Sequence, residues 1–538
     1  MSDTVERPLS NAHKLRFTLT SFSILLLFCA LLQWRSGAYS SDLAGNPDEP
    51  AHVVSGLMVH DYLEHFLSPQ GSHWPRNPRA FAESYYAHFP KVAIGHWPPL
   101  FYLVQAIWMF VFGRSKVALL ALMQGTTAGT ATLISQRARI IDGEITAWVM
   151  ATAFLLLEIS QGSLYSVMPD APLALLCCAA MIIGGKALEG RRKWWIPFWI
   201  LVLAAMSVNA RGAALVPAPW VAMLLAGKKD LLKQRAIWVP AALALLLSLP
   251  WFFFSHQIGQ LSLLTVTGKA LLFPIHAYLC LGPMLFSLMV LGVLLAPYRE
   301  EPHFAMVTAV LLGTWILSSL AIVPWDDRYF ICAVPACIVL AALGMRKVAS
   351  VASRAFGWRL RATAIALATL VIFASLVQAM RLKKEPRVAY TPFAASILAG
   401  QDGNRAVYLI AGDANYEGAF VEDFALLDPA ADHFILRASK ELILTNWSMN
   451  YYQPLFKSSA EMAAFLDQSW ISLVVIQNDF QRPDVQMLRA AMLESHWQQV
   501  AAPGGTLAYR RITPLPQGEM RIRINMHDSL GRYIEATP

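Results

Sequence analysis

The residues whose types and spacing offer the most chemistry come early. Gly45-Asn46-Pro47-Asp48-Glu49-Pro50-Ala51-His52 follows a long apolar run and leads into helical spacing at Val53, Leu57, Met58 and Tyr62. Two adjacent carboxylates at a helix entry have two uses. They cap the helix and answer its dipole, or one of them is a general base at the lip of a cavity, with its neighbour orienting it. The residues alone leave both uses open. A second group, His96-Trp97-Pro98-Pro99-Leu100-Phe101-Tyr102, opens the next apolar run. Asp170 opens another in Met168-Pro169-Asp170-Ala171-Pro172-Leu173, and Arg328 a late one in Asp327-Arg328-Tyr329-Phe330 with Val334-Pro335-Ala336 beyond it.

Cations are scarce near these entries. Arg328 is the first choice for binding an anion, since a charge at the mouth of an apolar segment is costly unless used or paired; the alternative is pairing with Asp326 or Asp327. Lys91, Lys269 and Arg211 are further phosphate candidates, each equally readable as an anchor snorkelling to an interface. Six of the thirteen histidines (His52, His60, His65, His73, His88 and His96) fall between the first two apolar runs. Asp48 with His52, and His60 with Glu64, have the i, i+4 spacing that puts two ligands on one helical face. A divalent metal at His52 therefore stays open, though no His-Glu-x-x-His motif occurs.

The elements that must hold these residues are membrane helices. Of the 538 residues 56% are hydrophobic and only 14% charged, against about 25% charged in an average soluble protein. Apolar runs near 17–34, 97–113, 116–135, 145–160, 169–186, 194–208, 212–226, 236–254, 277–296, 304–323, 329–345 and 362–379 approach the ~20 residues a bilayer core demands. Residues 1–380 carry 28 Lys and Arg against 18 Asp and Glu, and residues 381–538 carry 15 against 17. The basic excess sits in short connections (Lys186 to Lys193, Lys228 to Arg235, Arg346 to Arg361), which read as cytoplasmic. That pattern places the loop 35–96 and the tail from 381 on the outer face. It requires an odd number of crossings, with the misfit between residues 97 and 168: either a further short span lies in 145–168 or one of the segments there does not cross fully, and we expect thirteen. A basic face on a soluble domain is missing, and with it the case for nucleic acid.

The expected organisation is a transmembrane domain over 1–380 and an external soluble α/β domain over 381–538. In the tail, Ala406–Ala411, Ile471–Ile476 and Thr506–Tyr509 read as strands, and Ser459–Gln468 and Pro483–Ser495 as helices. Trp447, Tyr451 and Tyr452 suit a buried core or a sugar-stacking surface. All six cysteines lie in apolar runs, which argues against disulfides and thiolate zinc sites.

The Asp-Glu pair after the first run, the Pro-Pro-Leu-aromatic-Tyr entry to the second, the acidic entry at Asp170 and the late Arg328-Tyr329 with Pro335-Ala336 occur in order. Together they resemble the GT-C class of membrane glycosyltransferases, near its protein O-mannosyltransferase and aminoarabinose-transferase branch, over residues 15–380. Trp97, between His96 and the prolines, departs from the pattern. The resemblance implies a polytopic α-helical fold, and an external tail of 158 residues without cysteine suits a bacterial inner membrane, where disulfides are not relied upon. It also implies sugar transfer from a polyprenyl-phosphate donor to a glycan, lipid or protein acceptor outside the cytoplasm. Asp48, Glu49 and Asp170 would be catalytic; His96, Arg328, Lys91, Lys269 and Tyr102 would bind substrate. A transporter or flippase of lipid-linked sugars is the alternative, and would place its charges near mid-bilayer in broken helices.

Overall fold

The computed structural model describes residues 11–42, 46–67, 74–93, 95–259, 272–320, 327–357, 359–380, 390–400, 405–445, 452–494, 496–525 and 533–536. Lys269, Asp326, Trp447 and Tyr451 lie outside them. The chain divides into two compact units, one of Met1–Ser36, Leu120–Pro250 and Ser262–Lys383, the other of Gly37–Leu119, Trp251–Leu261 and Lys384–Pro538.

The first unit is helical. Eight segments of the described chain are long and apolar enough to cross a bilayer: Ala12–Ser36, Lys116–Leu156, Asp170–Leu188, Arg235–Ser255, Leu272–Leu294, Pro302–Leu320, Val334–Phe356 and Leu360–Met380. Leu27, Leu31 and Trp34 on the first, and Leu370 and Phe373 on the last, are exposed. Such side chains on a helix of spanning length belong against lipid.

The other runs fold as shorter pieces. The run at 145–160, whose first part Glu144–Leu156 closes the segment Lys116–Leu156, breaks at Leu157, whose ψ of 139° is extended, and continues as the short helix Glu158–Tyr165. The runs near 194–208 and 212–226 give Trp195–Val208, of 14 residues, and Ala218–Leu225, of 8, with a 3-10 turn over Ala210–Leu215 between them. At 1.5 Å per residue these reach about 20 and 12 Å, short of a ~30 Å hydrocarbon core. Thus eight of the thirteen expected crossings have a full-length helix.

Within this unit Leu272–Leu294 packs on Val334–Phe356. A Cβ on Gly292 would stand 2.0 Å from the Leu340 carbonyl oxygen, and one on Gly344 would stand 2.0 Å from that of Leu288. Two glycines facing two backbones bring the helices together where lipid supplies no hydrophobic drive. At Gly282, φ 72° and ψ 165° interrupt the first of these helices, and Pro283 follows; glycine alone tolerates that conformation.

The second unit joins residues 37–119 to the tail. Its sheet contains β1 (Val407–Ala411), β2 (Phe434–Arg437), β5 (Ile471–Gln477), β6 (Trp497–Val500) and β7 (Thr506–Arg511) in the order β2-β1-β5-β7-β6. Two-stranded ladders pair β3 (Ile443–Thr445) with β4 (Tyr452–Pro454) and β8 (Ile522–Asn525) with β9 (Tyr533–Ala536). β1 runs parallel to both neighbours, with Leu409 opposite Leu436 and Val474, and β7 is antiparallel to β5 and β6. Every residue of β1 is buried, which is why it reads as an unbroken apolar run. The tail elements expected from the sequence are all present; Ser459–Gln468 has the expected bounds, and the second helix is described over Pro483–Glu494, Ser495 lying outside the described residues.

Three helices of residues 37–119 build on this tail or on one another: Glu49–Leu67, Pro78–His88 and Leu100–Phe112. Asn77 starts the second by accepting the Arg79 and Ala80 N–H groups, with Pro78 in the first turn. Glu49–Leu67 packs on Leu100–Phe112 and on the tail helix Ala414–Leu427; Pro78–His88 packs on β2 and β9.

Candidate functional site

The acidic turn belongs to the second unit. Asn46 Oδ1 accepts the Asp48 N–H at 2.9 Å, and the Asp48 carbonyl accepts the His52 N–H at 3.0 Å, so the turn feeds directly into helix Glu49–Leu67. Asp48 is half-buried and Glu49 is 1% exposed. The two neighbours therefore differ in access: solvent reaches Asp48, while Glu49 is shut away from it.

Lys91 reaches this turn through the tail. A Cβ on Gly418 would meet Pro50 Cγ at 3.1 Å and Lys91 Nζ at 3.2 Å, so only a residue without a side chain lets the helix Ala414–Leu427 lie against both. Lys91 Nζ donates to the Ala414 carbonyl at 3.5 Å. Loss of water, with the Arg437 charge nearby, pulls its ammonium down to about 7; Glu417, Asp48 and Asp413 oppose that fall. Arg437 is fixed by Glu417, at 3.0 Å and wholly buried, and donates to the Pro90 carbonyl at 3.2 Å. Ser55 accepts the Ala93 N–H at 3.0 Å and ties the same loop to helix Glu49–Leu67.

His52 is buried among aromatic rings. Its Nδ1 lies 3.1 Å from the Tyr102 hydroxyl, and its ring centroid lies 4.3 Å from that of Trp97. His96 is half-buried beside Trp97. Among the described residues the trio able to offer three ligand atoms to one ion is His60, Asp61 and Glu64, not His52. That trio is a poor cation site. Asp61 Oδ1 already takes Arg114 at 2.8 Å and His60 Nδ1 at 2.9 Å, and Oδ2 accepts the Tyr85 hydroxyl at 3.0 Å. A guanidinium bound to the oxygen a metal needs makes this an ion-pair network. Arg114 also donates to the Ala425 carbonyl, which joins the first loop to the tail.

In the first unit, Asp170 stands at the start of its helix, 2% exposed, and takes Arg211 Nη1 at 2.8 Å. Arg211 lies over the Tyr329 ring, 3.8 Å from the centroid, and its Nη1 is 3.5 Å from the Arg328 carbonyl. Asn209 Oδ1 accepts the Arg211 N–H at 3.0 Å and sets the turn that carries it. Arg328 Cζ is 5.8 Å from the same ring. Asp327 pairs with His276 Nδ1 at 2.5 Å. Asp170, Arg211 and Arg328 are thus brought together in one unit, and Asp48, Glu49, Lys91, His52, His96 and Tyr102 lie in the other.

Glu417, Arg437, Asp61 and Arg114 were not singled out in the sequence. Each is an ordinary charged residue there, with partners in distant parts of the chain. Their one signal is rarity, since only 14% of the chain is charged.

No family model and no curated protein matches the sequence. The structure is similar to the crystal structure of ArnT from Cupriavidus metallidurans bound to undecaprenyl phosphate, with a TM-score of 0.57, covering 92% of this chain and 99% of that one at 14% identity. It is likewise similar to the same protein in the apo state, with a TM-score of 0.55, covering 93% and 100% at 14% identity. The likeness runs through the helices and the tail alike, and the chain has the ArnT fold, the one that the GT-C resemblance implies.

Proposed function

We propose that the chain is an integral-membrane glycosyltransferase of a bacterial inner membrane. It moves a sugar from a polyprenyl-phosphate donor to an acceptor on the periplasmic side. The observation that carries this reading is the fold shared over nearly the whole chain with ArnT, whose crystal structure holds undecaprenyl phosphate. The acidic turn at the head of helix Glu49–Leu67 supplies the chemistry.

Asp48, half-buried beside buried Glu49, takes the proton from the acceptor hydroxyl as its oxygen bonds the anomeric carbon. The sugar–phosphate C–O bond breaks on the opposite face, the phosphate leaves with the electron pair, and the configuration inverts. Lys91, whose ammonium acts on Asp48, offsets the charge of the leaving phosphate. Tyr102 and His96 line the sugar side. Asp170 holds Arg211 in place. A lipid donor of this kind explains why the sequence has no Walker-type phosphate loop.

The test is transfer by the chain reconstituted in lipid nanodiscs with a panel of undecaprenyl-phosphate sugars and a glycolipid acceptor. The reading expects release of undecaprenyl phosphate in step with glycosylated acceptor. Consumption of no donor in the panel would contradict it, and movement of intact donor across a vesicle membrane would favour the flippase.

A further inference from the structure

Glu422 and Asp423 lie on the tail helix Ala414–Leu427, buried at 2% and 6% exposure, and Glu422 Oε2 and Asp423 Oδ2 have no hydrogen-bond partner among the described residues. Two adjacent unpartnered carboxyl oxygens are costly if both groups are ionised. Glu422 stands one turn beyond Gly418, the residue that touches Pro50 and Lys91, and so shares the helix face turned to the acidic entry.

Proton counting fixes the state of one of them. Thr391 Oγ1 is 2.8 Å from Asp42 Oδ1 and 2.8 Å from Asp423 Oδ1. A hydroxyl has a single proton and can donate to only one carboxylate. Asp42 also accepts the Tyr390 and Thr391 N–H groups at 2.7 and 3.2 Å, which marks it as the ionised acceptor. Asp423 is then the acid, donating its own proton to Thr391.

Lys116, whose Nζ donates to the Ser41 carbonyl at 2.9 Å, is the cation this group shares: Glu49, Glu422, Asp423 and Asp42 all act on it. Lys91 acts on Glu422 as well, and two ammonium groups cannot answer Glu49, Glu422, Asp423, Asp42 and Asp48 together.

We propose that Glu422 and Asp423 are positioning residues for the anionic donor: neutral carboxyl groups, supplied by the tail, that leave Lys116 to balance Glu49 and Asp42. This rests on the transferase reading of the Asp48–Glu49 turn. Kept uncharged, they hold down the negative potential at the turn where a lipid phosphate must arrive. Burial pushes the Glu422 carboxyl up to about 8, with Glu49 and Asp42 adding and Lys116 and Lys91 opposing. Burial, Asp42 and Glu422 push Asp423 well above the usual range, against Thr391 and Lys116. Ionisation of Glu422 above pH 8 therefore adds a repelling charge.

The test uses the full chain and the conservative variants Glu422→Gln and Asp423→Asn. Infrared difference titration of the wild type should show a protonated-carboxyl band lost as pH rises through about 8, and Glu422→Gln should lack it. For undecaprenyl-phosphate-sugar, the ratio of wild-type to Glu422→Gln KM should be near one at pH 6.5 and rise roughly threefold or more above pH 8, with kcat matched. Asp423→Asn keeps a donor for Thr391 and should lose the Asp423 share of the protonated-carboxyl band at pH 6.5. A carboxyl band identical in wild type and Glu422→Gln, or a KM ratio flat across that range, would overturn the proposal. The infrared band needs no substrate, so failure of the transferase reading shows separately, as no turnover by wild type.

Discussion

Asp170 and Arg211 form an ion pair 2.8 Å long in which the carboxylate side chain is 3% exposed and the guanidinium 20%. The pair joins the start of one spanning helix to the turn between two short ones, 41 residues later. A buried pair contributes little over an apolar substitute, but leaving one member alone is expensive.

We therefore expect Asp170→Asn and Arg211→Met each to lower stability by about 3 kcal/mol or more, and the double variant to cost less than the sum. Thermal unfolding in detergent measures both. Simple additivity would show that the two groups do not interact.

The crossing of Leu272–Leu294 with Val334–Phe356 depends on glycine. Gly344→Ala drives a Cβ into the Leu288 carbonyl, 2.0 Å away, so we expect a loss of about 1–3 kcal/mol and lower yield of folded protein. Gly125→Ala, with nothing within 4 Å of its Cβ, is the control and should be neutral or slightly stabilising. Equal behaviour of the two variants in a thermal-shift assay would count against the close crossing.

Lys91 should make donor binding depend on pH. Its ammonium titrates near 7 in the folded chain, while a bound phosphate favours the charged form, so binding takes up a proton above that value. Affinity for undecaprenyl phosphate should fall as pH rises past 7, by up to about tenfold per unit. Lys91→Arg stays charged and should flatten that slope; Lys91→Met should bind weakly at every pH. The same shift makes the unliganded fold gain stability between about pH 7 and 10, where the unfolded lysine holds more protons than the folded one. A slope unchanged in Lys91→Arg would remove Lys91 from the phosphate.

Local features were legible in the sequence and long-range ones were not. β1 and β5 showed as apolar runs because both are buried in the sheet, and Ser459–Gln468 showed through its helical spacing. The helix break at Gly282 left no trace in hydropathy, because apolar residues continue on both sides of it, whereas at Leu157 the apolar run gives way to Glu158, Ser160 and Gln161. Asp48 and Asp170 stood out by being acidic at apolar entries. Their neighbours Lys91 and Arg211 carried even readings, since each gains its meaning from a contact: Lys91 from the tail helix, Arg211 from Asp170. The union of residues 37–119 with the tail rests on Arg114 with Ala425 and Asp42 with Thr391, pairs separated by some three hundred residues, for which spacing holds no signal.

Asp48 is the group proposed here as the base of a sugar transfer. The most direct measurement compares wild type with Asp48→Asn, at matched folding and expression, for undecaprenyl phosphate binding and for sugar transfer in the same nanodiscs. The expected result is binding within a few-fold of wild type and transfer lower by about a hundredfold or more. Undiminished transfer by Asp48→Asn would contradict it.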